Sequence, residues 1–176
     1  MHPDPFRVIL ADPPWMFRDR LPGSKRGAAK HYNVLRTSDI MRFPLPPIAD
    51  DAWLFLWRTH THQREAFRVI EAWGFKYASE IVWVKTAKNG KPRGGMGHTF
   101  RQAHEVCLVA RRGRPERLSR GLPSVILAPR REHSAKPPEM YDVIERFAPG
   151  PFVELFARTR RPGWESIGEE VEHGND

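Results

Sequence analysis

The chain reads as an α/β protein. Short apolar runs of strand length alternate with amphipathic helical patterns, and the first run ends in the acidic, proline-rich tetrapeptide Asp12-Pro13-Pro14-Trp15. Such alternation predicts a sheet with helices on both faces. Val8–Ala11 reads as a short buried strand, and the later runs Trp53–Trp57, Ile81–Val84, Val106–Ala110, Val125–Leu127, Phe152–Leu155 and Ser166–Ile167 supply further strands. Glu65 to Trp73 carries Phe67, Ile70 and Trp73 at a spacing that buries one helical face. Pro138 to Phe147 does the same through Met140, Tyr141, Ile144 and Phe147, with Ser134 upstream as a candidate cap. Core packing is the expectation for every tryptophan except Trp15 and Trp57.

Asp12 to Trp15 sits where a strand ends, the edge at which open α/β sheets bind ligands. Two prolines fix the backbone in a stiff extended form and donate no N–H, so their carbonyls are expected to remain free acceptors. A carboxylate beside free carbonyls suits a planar exocyclic amine, and Trp15 offers a face for a heteroaromatic ring. Hydrogen bonds from both amine protons to Asp12 and the Pro13 carbonyl would draw an adenine nitrogen towards tetrahedral geometry. A methyl donor held in line would then need positioning and preorganised electrostatics, not a strong base. The plainer alternative is a turn closing a strand, with Trp15 filling the core.

At 176 residues the chain fits one domain over 1–176, without a separate target-recognition domain. With 29 Lys+Arg against 21 Asp+Glu, the net charge of +8 points to a polyanionic partner. Arg18, Arg20, Lys25, Arg26 and Lys30 follow the tetrapeptide in a glycine-containing stretch, with Tyr32 placed to stack on or gate a substrate. A second basic stretch, Lys85, Lys88, Lys91, Arg93 and Arg101, is interspersed with glycines and expected to flank the same pocket. The lone Cys107 is expected to be buried, and the histidines show no metal-ligand spacing, so no metal is expected. No apolar segment has the length of a signal peptide or membrane span, so a cytoplasmic protein without membrane contact is expected.

Trp53-Leu54-Phe55-Leu56-Trp57, Ile81 to Thr86, Gly97-His98, His104 to Val109, His133 to Pro137, Val153 to Arg158 and Arg161 to Trp164 follow the tetrapeptide in order. Together they resemble the family of the catalytic subunit of messenger-RNA N6-adenosine methyltransferase, in its short bacterial and phage branch. The resemblance implies a Rossmann-like methyltransferase fold, circularly permuted because the catalytic motif precedes the cofactor motif. It implies methyl transfer from S-adenosylmethionine to adenine N6, with Asp12, Pro13, Pro14 and Trp15 catalytic. Asp12, Lys136, Glu154, Phe156, Arg158, Glu169 and Glu170 would contact the cofactor. The basic residues above, with Tyr32, Trp57 and Lys85, would serve the substrate. Lys136 lies near a helix start, where a lysine opposes the helix dipole unless an anion is close; the cofactor carboxylate would be one. DNA is the expected substrate ahead of RNA, and a homodimer would enlarge the small surface available to grip it. A non-catalytic nucleic-acid-binding subunit is the competing class, against which the intact Asp12 and Trp15 argue.

Overall fold

A computed structural model of the chain describes residues 4–16, 34–95, 97, 99–131, 135–168 and 171. In these, strands β1 (Phe6–Ala11), β2 (Ile48–Arg58), β3 (Lys76–Thr86), β4 (His104–Arg112), β5 (Val125–Pro129), β6 (Phe152–Leu155) and β7 (Trp164–Ile167) form one sheet in the order β5-β3-β4-β2-β1-β6-β7. Every expected strand is present, and helices cover both faces. Only β4 runs antiparallel to its neighbours, so its first residues lie at the carboxyl end of all the others.

Strand alternation sorts the apolar residues into two cores. Ile9 and Ala11, Leu54 and Leu56, Leu108 and Ala110, and Val153 and Leu155 pack on one face beneath helices α1 (Thr37–Met41) and α2 (Gln63–Ala72). Val8 and Leu10, Phe55 and Trp57, Ile81 and Trp83, Cys107 and Val109, and Ile126 and Ala128 pack on the other beneath helix α3 (Glu139–Phe147). Cys107 is fully buried there, as its apolar surroundings predict.

β1 leads through α1 to β2 on one side, whereas β6, its neighbour on the other side, is reached through α3 across the opposite face. The carboxyl ends of β1 and β6 therefore flank a point where the connections diverge, a natural crevice. α3 begins at Pro138, which caps it without a side-chain hydrogen bond. The expected cap Ser134 lies outside the described residues.

Candidate active site

The pleat that sorts the core also places the charged residues. Asp12 continues the Val8–Leu10 face of β1, Lys85 the Ile81–Trp83 face of β3, and Glu105 precedes Cys107 on that face of β4. Glu154 pairs with Leu10 across β1 and β6. All four point to the α3 side at one end of the sheet, and Lys136, on the segment entering α3, reaches in among them. Its ammonium lies 2.9 Å from Asp12 Oδ2 and 3.2 Å from Glu105 Oε2, while Lys85 Nζ lies 2.6 Å from Glu105 Oε1. The two lysines lie over two indoles, Lys136 over Trp57 at 5.5 Å and Lys85 over Trp83 at 5.2 Å, and those rings meet edge to face.

Charge pairing outweighs burial in this chain of four. Burial alone would lower the pKa of Lys136, but Asp12 and Glu105 raise it above the ordinary lysine value. Burial alone would raise that of Glu105, but Lys136 and Lys85 hold it below the ordinary range. The anion facing Lys136 in the folded protein is thus a pair of its own carboxylates.

A cavity of about 620 Å³ opens above these residues, lined by Asp12, Trp57, Lys136, Glu154, Phe156 and Arg158 among others. Tyr141 donates its hydroxyl to Glu154, 2.9 and 3.0 Å from the two carboxylate oxygens. Burial, then Asp12, push Glu154 above its ordinary pKa despite that bond and the Arg161 charge. Phe156 follows β6 at φ 61°, a left-handed conformation that costs a side-chain-bearing residue about 1–3 kcal/mol and collects at ligand sites. Its ring packs 4.5 Å from that of Phe43.

The structure brings Asp12, Trp57, Lys136, Glu154, Phe156 and Arg158 to one cavity but takes Trp15 to the opposite face. Trp15 is only 4% exposed, donates Nε1–H to the Trp57 carbonyl at 3.1 Å, and stacks on His62 at 5.4 Å. The indole expected to receive a base is a core residue in this conformation. The expected free carbonyls are also engaged: Pro13 C=O accepts the Trp15 N–H at 2.9 Å and Pro14 C=O accepts the Leu35 N–H at 2.8 Å. Trp15 also forms a parallel bridge with Leu35.

Glu105, Tyr141 and His62 are residues that the sequence did not assign to the site. His62 is buried, and its Nε2 lies 3.0 Å from the Met16 carbonyl, which can only accept, so Nε2 carries the proton. Thr59 and Thr61 hydroxyls flank its Nδ1 at 2.7 and 3.0 Å. The Thr-His-Thr-His run after β2 is its only sequence trace. Lys85 points inward to Glu105. Arg18, Arg20, Lys25, Arg26, Lys30, Tyr32, Glu169 and Glu170 lie outside the described residues. Among the described residues no helix is long and apolar enough to cross a membrane.

The MT-A70 family model matches residues 6–170. The chain is 35% identical over 173 residues to the N(6)-adenosine-methyltransferase catalytic subunit METTL3 of Homo sapiens, covering 95% of this chain and 28% of that protein. It is 36% identical over 172 residues to a putative N(6)-adenosine-methyltransferase MT-A70-like protein of Medicago truncatula, covering 94% of this chain and 26% of the relative. With the type II methyltransferase M.MunI of a Mycoplasma species it shares 30% identity over 188 residues, 94% of this chain and 78% of that enzyme. The chain thus spans under a third of its METTL3 relatives.

Proposed function

This chain belongs to the MT-A70 family, and from that premise we propose that it transfers a methyl group from S-adenosylmethionine to the N6 amine of adenine in DNA. The observation that carries the reading is the convergence of Asp12, Lys136, Glu154 and Phe156 on one cavity at the carboxyl ends of β1 and β6. The lining suits the cofactor's chemistry. Carboxylates at Asp12 and Glu154 match cationic groups, Lys136 and Arg158 match a carboxylate, and Leu10, Met140 and Phe156 offer apolar surface. The Trp57 indole N–H in the wall is a buried donor without a partner among the described residues.

When bound, the cofactor supplies an electrophilic methyl group on a sulfonium. Asp12 does the orienting. Lys136 engages its Oδ2, which leaves Oδ1 to accept an amine N–H and concentrate electron density on the nitrogen facing the methyl. Glu105 holds Lys136 from the other side, so the Asp12 carboxylate is fixed before substrate arrives, and preorganisation of this kind is where the rate gain arises. The second acceptor expected from Pro13 must share a carbonyl already bonded to Trp15. Trp15 supports the tetrapeptide from below, and Trp57, under Lys136, walls the cavity.

We favour DNA on the likeness in length to the type II methyltransferase M.MunI, 78% of which the match covers. An RNA substrate is the second reading, favoured by the higher identity to N(6)-adenosine methyltransferases. Matched DNA and RNA oligonucleotides incubated with labelled S-adenosylmethionine, digested and resolved by mass spectrometry, decide between them. Faster N6-methyladenine formation in RNA would reverse the preference.

A further inference from the structure

Beside the Asp12 cavity lies a second, of about 530 Å³, lined by Lys85, Lys88, Arg93, Arg130 and Arg131, with no carboxylate among the described residues of its wall. Its two sides are the carboxyl ends of neighbouring parallel strands, paired through Thr86 and Pro129. β3 runs on into a turn that folds back on itself. Arg93 N–H donates to the Lys85 carbonyl at 2.7 Å, Ala87 N–H to that of Lys91 at 2.9 Å, and Pro92 bridges to Thr86. Backbone contacts therefore hold the basic residues in place and leave their charged ends available.

Lys85 is neutralised by Glu105. Lys88, Arg93, Arg130 and Arg131 form no ion pair with any described residue. Like charges gathered around a concave surface raise its potential and repel one another until an anion arrives.

We infer that this cavity is a phosphodiester subsite, holding the backbone next to the nucleotide whose base enters the Asp12 cavity. Arg131 stands in the wall of both cavities. The ion-pair chain Lys85–Glu105–Lys136–Asp12 runs between them. Guanidinium forks match phosphate oxygens in pairs, and phosphate contacts position a strand without reading its sequence. The inference rests on the polynucleotide substrate proposed above and adds where its backbone lies.

The test is a salt titration of binding, read by fluorescence anisotropy, with adenine-free single-stranded DNA and its RNA counterpart. The proteins are wild type, the triple variant Lys88→Gln/Arg93→Gln/Arg130→Gln, and the charge-keeping variant Arg93→Lys/Arg130→Lys. At about 0.7 per phosphate contact, losing three contacts lowers the slope of log K against log salt by about 2. The charge-keeping variant retains the wild-type slope, and all three proteins keep the same thermal midpoint and S-adenosylmethionine affinity. A fall confined to the DNA or the RNA arm assigns the subsite to that polymer. An unchanged slope in the triple variant on both polymers overturns the subsite even if N6-methyladenine is still formed. A lowered slope in a protein that methylates no adenine upholds the subsite and defeats the methyl-transfer reading.

Discussion

Replacing Glu105 with Gln removes the one carboxylate that joins Lys85 to Lys136 while keeping its shape. At 2.6 and 3.2 Å, the two attractions are worth about 6 and 5 kcal/mol at an effective dielectric of about 20, before hydration is charged against them. Glu105 is 21% exposed and its partners 17% and 18%, so solvent returns part of the lost hydration. The net loss falls below the ~3–5 kcal/mol of a fully buried broken pair, at about 2–3 kcal/mol. For a chain of this length that lowers the thermal midpoint by about 5–10 °C, measured by circular dichroism. The difference also depends on pH. A carboxylate whose folded pKa is depressed contributes stability above its unfolded value, near 4.5, and loses it as pH falls through the lower folded value. Glu154, with a raised pKa, works in the opposite sense: its contribution is present below about pH 4.5 and lost as pH rises. It is common to both proteins and largely cancels in the difference. The gap between wild type and Glu105→Gln is therefore full at neutral pH and narrows as pH falls below about 4.5 towards the lower folded value of Glu105. A gap under about 1 °C at neutral pH, or one that does not narrow as pH falls below about 4.5, would refute the network.

Lys136→Met strands Asp12 and Glu105 without their shared cation, costs about 2–4 kcal/mol in urea unfolding, and weakens cofactor binding and turnover together. Asp12→Asn leaves Lys136 its Glu105 partner, so calorimetric affinity for S-adenosylmethionine falls far less than turnover; the reverse pattern would count against Asp12 as the amine acceptor. Tyr141→Phe removes the hydroxyl shared by both Glu154 oxygens and costs about 1–2 kcal/mol by chemical denaturation, with the Glu154 pKa rising further in carbon-detected NMR titration. In Gly168→Ala the new methyl would collide with the backbone of Ala157, so unfolding in urea should show a loss of about 1–3 kcal/mol.

The strands were legible because each contains a continuous apolar run, but their ends were not. β2 begins at Ile48 and β3 at Lys76, since backbone pairing with neighbouring strands continues past the last buried side chain. Helix α1 escaped notice because its five residues bury only Ile40, too little for a periodic pattern. At the site, Lys136 stood out as a lysine lacking an anion. Its partner Asp12 lies 124 residues away, and Glu105, at the edge of an apolar run inside the His104 to Val109 motif, gave no sign of a role of its own. The orientation of Trp15 was not legible, because strand alternation no longer governs once two prolines end β1. Its destination on the α2 side was set by His62 and Leu35, neither of which the tetrapeptide announces.

The most direct test of the account is nucleoside mass spectrometry of DNA incubated with isotopically labelled S-adenosylmethionine and either wild-type protein or Asp12→Asn. The account predicts labelled N6-methyladenine from the wild type and none above background from the variant. Methylation on another base, or wild-type yields from the protein lacking the Asp12 carboxylate, would contradict it.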